Sequence, residues 1–239
     1  MRCWKIIVFA LLFLMMPNSA QGIFVKQERW FDTRAYFLDL VDAQSRRGET
    51  AKYMVKRTKA NFGINGSYFG MRNTYHGISI FPIGQLQFRN DNITCCPAPS
   101  GRGFLWQAEI PGIGFHPPKV TIFCIEAGPI LLVDDELVCS YQNFSRAHWN
   151  KFCLRSVVAL AGNKVFLMKI YGNLWQISKY LKKRKIEYAI CMDGGSSSAD
   201  NVKVANAVVV FPKARPFYKK YKNKHFSTTS WSKSLSASE

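Results

Sequence analysis

Four stretches of the sequence end an apolar run on residues that can do chemistry. They are Asn65-Gly66-Ser67-Tyr68-Phe69, Glu126-Ala127-Gly128-Pro129, Arg155-Ser156 and Asp193-Gly194-Gly195-Ser196-Ser197. An arginine's planar fork can hold two phosphate oxygens at once. An aspartate supplies negative charge for an electron-poor carbon, or a base for an attacking water. The asparagine amide donates and accepts, the serines add hydroxyls, and Tyr68 or Phe69 offers a ring for stacking. Gly66, Gly194 and Gly195 lack a Cβ, so backbone N–H groups there can come close to a ligand. Each stretch alone also has a plain explanation. Asn-Gly is a common turn, an aspartate after a strand is often a cap, and Glu126 fits a surface or strand-edge position.

Their order narrows the choice. N-G-S-Y-F, then A-G-P-x-L, then R-S ahead of a hairpin, then a helix, then a strand ending D-G-G-S-S resembles the phosphodiester glycosidase family. This is the family of the lysosomal uncovering enzyme and of many bacterial exported relatives. The resemblance spans roughly residues 35 to 211 and is most specific from Arg155 to Ser197, with "INGSYF" as a second anchor. It implies a hydrolase that cleaves a sugar-1-phosphodiester at the anomeric carbon. Asn65, Arg155 and Asp193 would be catalytic, and Gly66, Ser67, Tyr68, Phe69, Gly194, Gly195, Ser196 and Ser197 would bind substrate. Two positions depart from the family pattern: Ser196 replaces a third glycine, and Gln176 stands where a helix glutamate is usual.

The residue types suit that reaction on chemical grounds. A phosphate monoester is already a stable leaving group, so the site needs a strong general acid less than ordinary glycoside hydrolysis does. It needs a cation for the phosphate, which Arg155 can supply, and a carboxylate for the oxocarbenium-like carbon or its water, which Asp193 can supply. Asn65 can bond a hydroxyl or acetamido group, and Glu126 is a possible second carboxylate. Two rivals stand beside this reading. Gly194-x-Ser196-x-Ser198 approaches the nucleophile elbow of a serine hydrolase but lacks its last glycine. His76, His116, His148 and His225 follow in no triad context. The other rival is an exported, non-catalytic module that binds anionic or phosphorylated glycans. No C-x-x-C or H-E-x-x-H spacing is present and no calcium-loop spacing surrounds Asp193 or Glu126, so no metal or other cofactor is expected, with a divalent ion left open.

The elements that must position these residues are mainly strands. "RAYFLDLVDA" reads as a strand, and Glu49-Thr50 starts a helix with Ala51, Met54, Val55 and Thr58 at helical spacing. "ANFGINGSYF" is a strand running into a turn, and residues 90 to 120 read as a long stapled excursion. "VTIFCIEAGPILLVDDELVCSY" breaks into short strands at Ala127-Gly128-Pro129 and Asp134-Asp135. "RSVVALAGNKVFLMKIYG" forms a hairpin at Gly162-Asn163, and a helix follows with Leu174, Ile177 and Leu181 on one face. "IEYAICMD" and "VANAVVVF" complete the set. The class is mixed α/β (α+β), a single domain with a strand-rich mixed sheet and a few crossing helices.

Composition bounds the rest. With 48% hydrophobic and 14% aromatic residues the chain is not largely disordered. Residues 1–22 read as a signal peptide, with Arg2 and Lys5 before an apolar core and Asn18-Ser19-Ala20 at the cleavage end. Residues 23–212 then form the domain, and 213–239 a basic C-terminal tail. Secretion or a periplasmic location follows, with no integral membrane domain. In that oxidising setting Cys95, Cys96, Cys124, Cys139, Cys153 and Cys191 should include a disulfide, though Cys124 and Cys191 in apolar runs also read as buried thiols. The formal charge of +18 and the stretch "KARPFYKKYKNKH" point to a polyanion or anionic surface as a partner of the tail. Sequons at Asn92 and Asn143 matter only in a glycosylating host, and the one at Asn65 lies in the proposed site.

Overall fold

The computed structural model describes residues 22–75, 77–82, 86–88, 102–118, 121–138 and 144–215. The signal-like segment up to residue 21, Cys95, Cys96, Cys139, Asn92, Asn143 and the tail beyond Arg215 lie outside them. Strands β1 (Phe24–Asp32), β2 (Tyr36–Asp42) and β3 (Glu49–Thr50) lead into helix α1 (Ala51–Thr58). Strand β4 (Phe62–Asn65) is followed by β5 (Phe69–Thr74), β6 (Gly77–Pro82), β7 (Leu86–Phe88), β8 (Gly103–Gln107), β9 (Pro111–Gly114) and β10 (Phe123–Ala127). Next come β11 (Ile130–Val133), β12 (Glu136–Leu137), helix α2 (Arg146–Asn150), β13 (Cys153–Ala161) and β14 (Lys164–Gly172). Helix α3 (Leu174–Lys183), β15 (Tyr188–Cys191), a 3-10 turn (Gly195–Ser198), β16 (Lys203–Val204) and β17 (Asn206–Pro212) close the chain.

The larger sheets run β1-β14-β13-β15-β11-β12, β7-β10-β8-β9 and β2-β17-β4, with two-stranded pairs β16-β3 and β5-β6. The strand-rich α+β class is therefore present. Every described pairing is antiparallel, so no sheet mixes parallel with antiparallel neighbours. The expected crossing helix is α3. Strands β14 and β15 both run antiparallel to β13, which lies between them, so the two share a direction and α3 must cross over β13 to join them.

Burial on both faces explains why β13 and β17 read as near-continuous apolar runs. Val158 and Leu160 face a central cluster shared with Leu38, Ile64, Phe123 and Val208, to which all three larger sheets contribute. Val157 and Ala159 face the opposite way, onto Leu174, Ile177 and Leu181 of α3 and Trp149 of α2. On the three-stranded sheet, Phe37, Val209 and Phe211 meet Ala51 and Met54 of α1. Local signals set the helix ends: Thr50 Oγ accepts from Tyr53 N at 3.1 Å, and Asn173 with Gln176 makes a reciprocal cap at the start of α3.

Two expectations need amendment. The excursion 90–120 is not all irregular, because β8 and β9 form a hairpin in the four-stranded sheet. Strand β1, which has no turn signal to announce it, adds to the edge of the large sheet beside β14. Cys124 and Cys191 are buried thiols, as their apolar settings suggest, and Cys153 is also a thiol. Any disulfide must use cysteines outside the described residues.

Candidate active site

All four chemical stretches meet around the end of β15. Asn65 ends β4 with 1% of its surface exposed, and its Nδ2 donates to the Asp193 carbonyl at 2.6 Å. The Ser156 hydroxyl, on β13, donates to Asn65 Oδ1. Ser198 Oγ lies 3.0 Å from Ser156 Oγ and donates to the Asp193 carbonyl at 3.1 Å. Asp193 N in turn donates to the Gly66 carbonyl at 3.1 Å. Both ends of the Asn65 amide are thus engaged, Nδ2 by the Asp193 carbonyl and Oδ1 by the Ser156 hydroxyl. Asn65 is a positioning residue here, where the residue type alone pointed to a sugar hydroxyl.

Gly66 and Ser67 are explained by Asn206 at the start of β17. Gly66 N donates to the Asn206 carbonyl at 3.0 Å and Ser67 N to Asn206 Oδ1 at 2.9 Å. A Cβ on Gly66 would fall 2.0 Å from Asn206 Oδ1, so only glycine allows this approach. Ser67 is buried and bonded to Asn206, and Phe69 packs against the α1-side cluster. These two therefore support the turn from inside the protein. Tyr68 is half-buried; its hydroxyl donates to the Gly128 carbonyl at 2.7 Å, and burial holds its pKa above the usual tyrosine range. The A-G-P stretch joins the site in this way, and Gly128 N bonds the Cys191 carbonyl at 2.8 Å beside it. Glu126 is buried in β10, two residues earlier.

Arg155 lies beneath the glycine loop with 3% of its surface exposed. A Cβ on Gly194 would come 3.0 Å from Arg155 Cδ and 3.1 Å from Nη1, so the missing side chain lets the guanidinium pack under the loop. Its Nη2 donates to the carbonyls of His148 (3.1 Å) and Lys151 (3.3 Å). Nη1 is 3.3 Å from His148 Nε2, while the buried Nε–H has no partner. Burial and the neighbouring Arg155 lower the His148 pKa to about 4, so the ring is neutral near pH 7 and its Nε2 can accept from the guanidinium. Most of the arginine's fork is therefore anchored to the α2 end of the chain.

Asp193 is the partly accessible carboxylate. Burial raises its pKa, opposed by hydrogen bonds from the Ser197 hydroxyl and Gly194 N and by the charge of Arg155. Gly194 N donates to Asp193 Oδ1 at 2.9 Å. Gly195 takes a φ of +67°, a left-handed conformation that favours glycine. Ser196 is exposed, and no histidine partners it among the described residues, which exclude His76 and His225.

Sequence reasoning missed three contributors. His148 and Asn206 give no local signal, because their roles depend on contacts across the fold. Arg102 lies in the Pro/Gly/Cys-rich stretch; its guanidinium is 5.1 Å from the centre of the Tyr68 ring and makes no hydrogen bond to the described residues. It also acts electrostatically on both Tyr68 and His148, which places a second cation at this site. Gln176 serves the α3 cap, its Oε1 accepting from Asn173 N at 3.2 Å. No cluster of metal-ligating side chains occurs among the described residues. No described helix is long and apolar enough to cross a membrane.

No protein-family model and no curated protein matches the sequence. Solved structures do match in fold. The chain is similar to a hypothetical protein from Synechocystis, with a TM-score of 0.61 and 13% identity over 82% of this chain and 63% of that one. It is also similar to the catalytic domain of zebrafish N-acetylglucosamine-1-phosphodiester alpha-N-acetylglucosaminidase, with a TM-score of 0.55 and 13% identity over 82% of this chain and 84% of that one. At such identity the likeness is one of fold alone.

Proposed function

We propose that the chain is an exported hydrolase that cleaves a sugar-1-phosphodiester at the anomeric carbon. The observation that carries this reading is the convergence of Asn65 and Asp193, 128 residues apart, through a hydrogen bond where β4 and β15 end, with Arg155 of β13 packed under the adjoining Gly194. In this reading Asp193 stabilises the oxocarbenium-like carbon or takes a proton from the attacking water, and its raised pKa makes it a stronger base than an exposed aspartate. Arg102 faces the phosphate, because its guanidinium has donors to offer. Arg155, held by two backbone carbonyls and the His148 ring, supplies fixed positive charge beneath the loop and one unused buried N–H. Ser196 and the Gly194–Gly195 backbone offer donors to the sugar or phosphate. The leaving phosphate monoester carries its own negative charge, so no second protonated carboxyl is required.

The test is hydrolysis of a panel of sugar-1-phosphodiesters in ¹⁸O-labelled water. Attack at the anomeric carbon places the label in the released sugar, whereas attack at phosphorus places it in the phosphate. Label in the phosphate would overturn the proposed bond cleavage. Saturable binding of the same compounds without product would instead support a glycan-binding module. Covalent capture of Ser196 by a fluorophosphonate would restore the serine hydrolase.

A further inference from the structure

The β5–β6 hairpin leaves the site directly after Tyr68 and carries features that the proposed reaction does not use. Opposed residues of an antiparallel pair share a face, and the register joins Met71 with Ile80 and Asn73 with Ile78. Phe69, Met71, Ile78 and Ile80 therefore form an apolar row along one face. Its inner members, Phe69 and Ile80, are half-buried. The outer members are not: Met71 is 69% and Ile78 52% exposed, and Tyr75 at the tip is fully exposed. Beside the row, Ile80 N donates to the Arg46 carbonyl at 2.7 Å, which fixes the Arg46–Arg47 turn along the outer edge of β6. A groove of about 380 Å³ opens there, lined by Ser45, Arg46, Arg47, Thr74, Ile78 and Ser79. Arg72 is exposed on the same hairpin, and neither 43–48 nor 69–82 contains an aspartate or glutamate.

We propose that this hairpin and the Arg46–Arg47 turn dock the protein on an anionic lipid bilayer, with headgroup phosphate in the groove and Met71, Tyr75 and Ile78 in the interfacial layer. The occupant follows from chemistry. Cationic side chains bordering an apolar row match the negatively charged, partly apolar surface of such a bilayer. A polyanionic glycan would match the positive charge and leave the apolar row in water. Neither segment contributes a carboxylate to the contact, Glu49 beside the first is paired with Arg57 and leaves Asp42 as the flanking negative charge, and the formal charge of +18 adds long-range attraction. Strand β5 is six residues long, so Asp193 would lie within roughly 20 Å of the surface. The inference does not depend on which reaction the Asp193 site performs.

The test is partitioning of the full exported chain onto vesicles of phosphatidylcholine alone and of phosphatidylcholine with phosphatidylglycerol. Binding is expected on the mixed vesicles and to fall steeply with salt. Each arginine near an anionic surface multiplies affinity roughly fivefold, so Arg46→Gln with Arg47→Gln should weaken binding about 25-fold on mixed vesicles. Met71→Ser with Ile78→Ser should weaken it at least about tenfold with an unchanged melting temperature, since both side chains are exposed. A chain ending at Arg215 separates the basic tail's contribution and should keep the dependence on both pairs. Equal binding by the wild type and both double variants would overturn the proposal and assign the attraction to the tail or net charge. Equal binding to both vesicle types would overturn it too. Dimers that Met71→Ser with Ile78→Ser abolishes, without any change in vesicle binding, would assign the row to a second copy of the chain.

Discussion

Asp193 and Asp200 lie seven residues apart on one segment and are treated in opposite ways. Asp193 is drawn into the protein by the Asn65 and Ser198 bonds to its own carbonyl; burial raises its pKa, and the arginine below it is largely engaged elsewhere. Asp200 is about half exposed and bonds Lys169 at 2.5 Å and Lys26 at 3.3 Å, and these bonds lower its pKa. The first carboxylate has its charge held at a cost, as a reactive group does; the second has its charge satisfied, as a structural one does. The stability consequences have opposite signs. Asp193, with its folded pKa raised, contributes stability that is present in acid and lost as pH rises through that pKa. Asp200, with its folded pKa lowered, contributes stability present above the unfolded value and lost as pH falls through the folded one.

This contrast can be broken most directly at Asp193. Asp193→Asn keeps the shape and the Gly194 contact but removes the charge, and turnover of a sugar-1-phosphodiester should fall about 10²–10⁴-fold. The melting temperature near pH 7 should hold or rise, because an unfavourable buried charge has gone. Near-full activity in this variant would make Asp193 a cap like any other. Arg155→Lys comes next. A lysine cannot serve both carbonyls and His148 at once, and losing a charged hydrogen bond of about 1.5–3 kcal/mol corresponds to roughly 10- to 150-fold in kcat/KM. Asp200→Asn should leave turnover alone and lower stability by about 1–2 kcal/mol, since Lys169 is buried but Asp200 is half exposed. Denaturant titration measures this, and a loss of turnover would show that Asp200 belongs to the site.

The pH profile sharpens the same comparison. The acid limb of kcat/KM should lie above the ordinary aspartate range, because Asp193 must be ionised and its pKa is raised. His148 titrates near pH 4, so His148→Gln should leave a limb set by Asp193 in place. A limb that moves with His148 would assign it to the histidine. The smallest effect is expected at Gln176→Glu. The carboxylate can accept from Asn173 N as the amide does, and a negative charge suits a helix N-terminus by about 0.3–1 kcal/mol. Turnover should not change, and a large gain would return that helix position to the mechanism.

Much of the scaffold was legible because local chemistry decides it. The Thr50 cap, the Gly162-Asn163 hairpin turn, the α3 face of Leu174, Ile177 and Leu181, and the strand β15 that leads into Asp193 depend on neighbours a few residues away. Strand β1 escaped notice because an edge strand beside β14 needs little patterning of its own. The chemical residue types were also visible: an asparagine, an arginine and an aspartate at strand ends, with glycines beside them.

The sequence by itself therefore determined the strand-rich α+β class, the main turns and caps, and a short roll of candidate groups. Only the tertiary structure decided what each group is free to do. Asn65 binds the backbone of a residue 128 positions away, and Arg155 spends Nη2 on carbonyls of α2 and the turn after it and sets Nη1 against the His148 ring. Arg102 meets Tyr68 from a stretch with no motif. Hydrogen-bonding capacity belongs to the residue type, but the capacity left for a ligand is what remains after the fold has used its share. That remainder depends on contacts between distant strands, which no local spacing encodes.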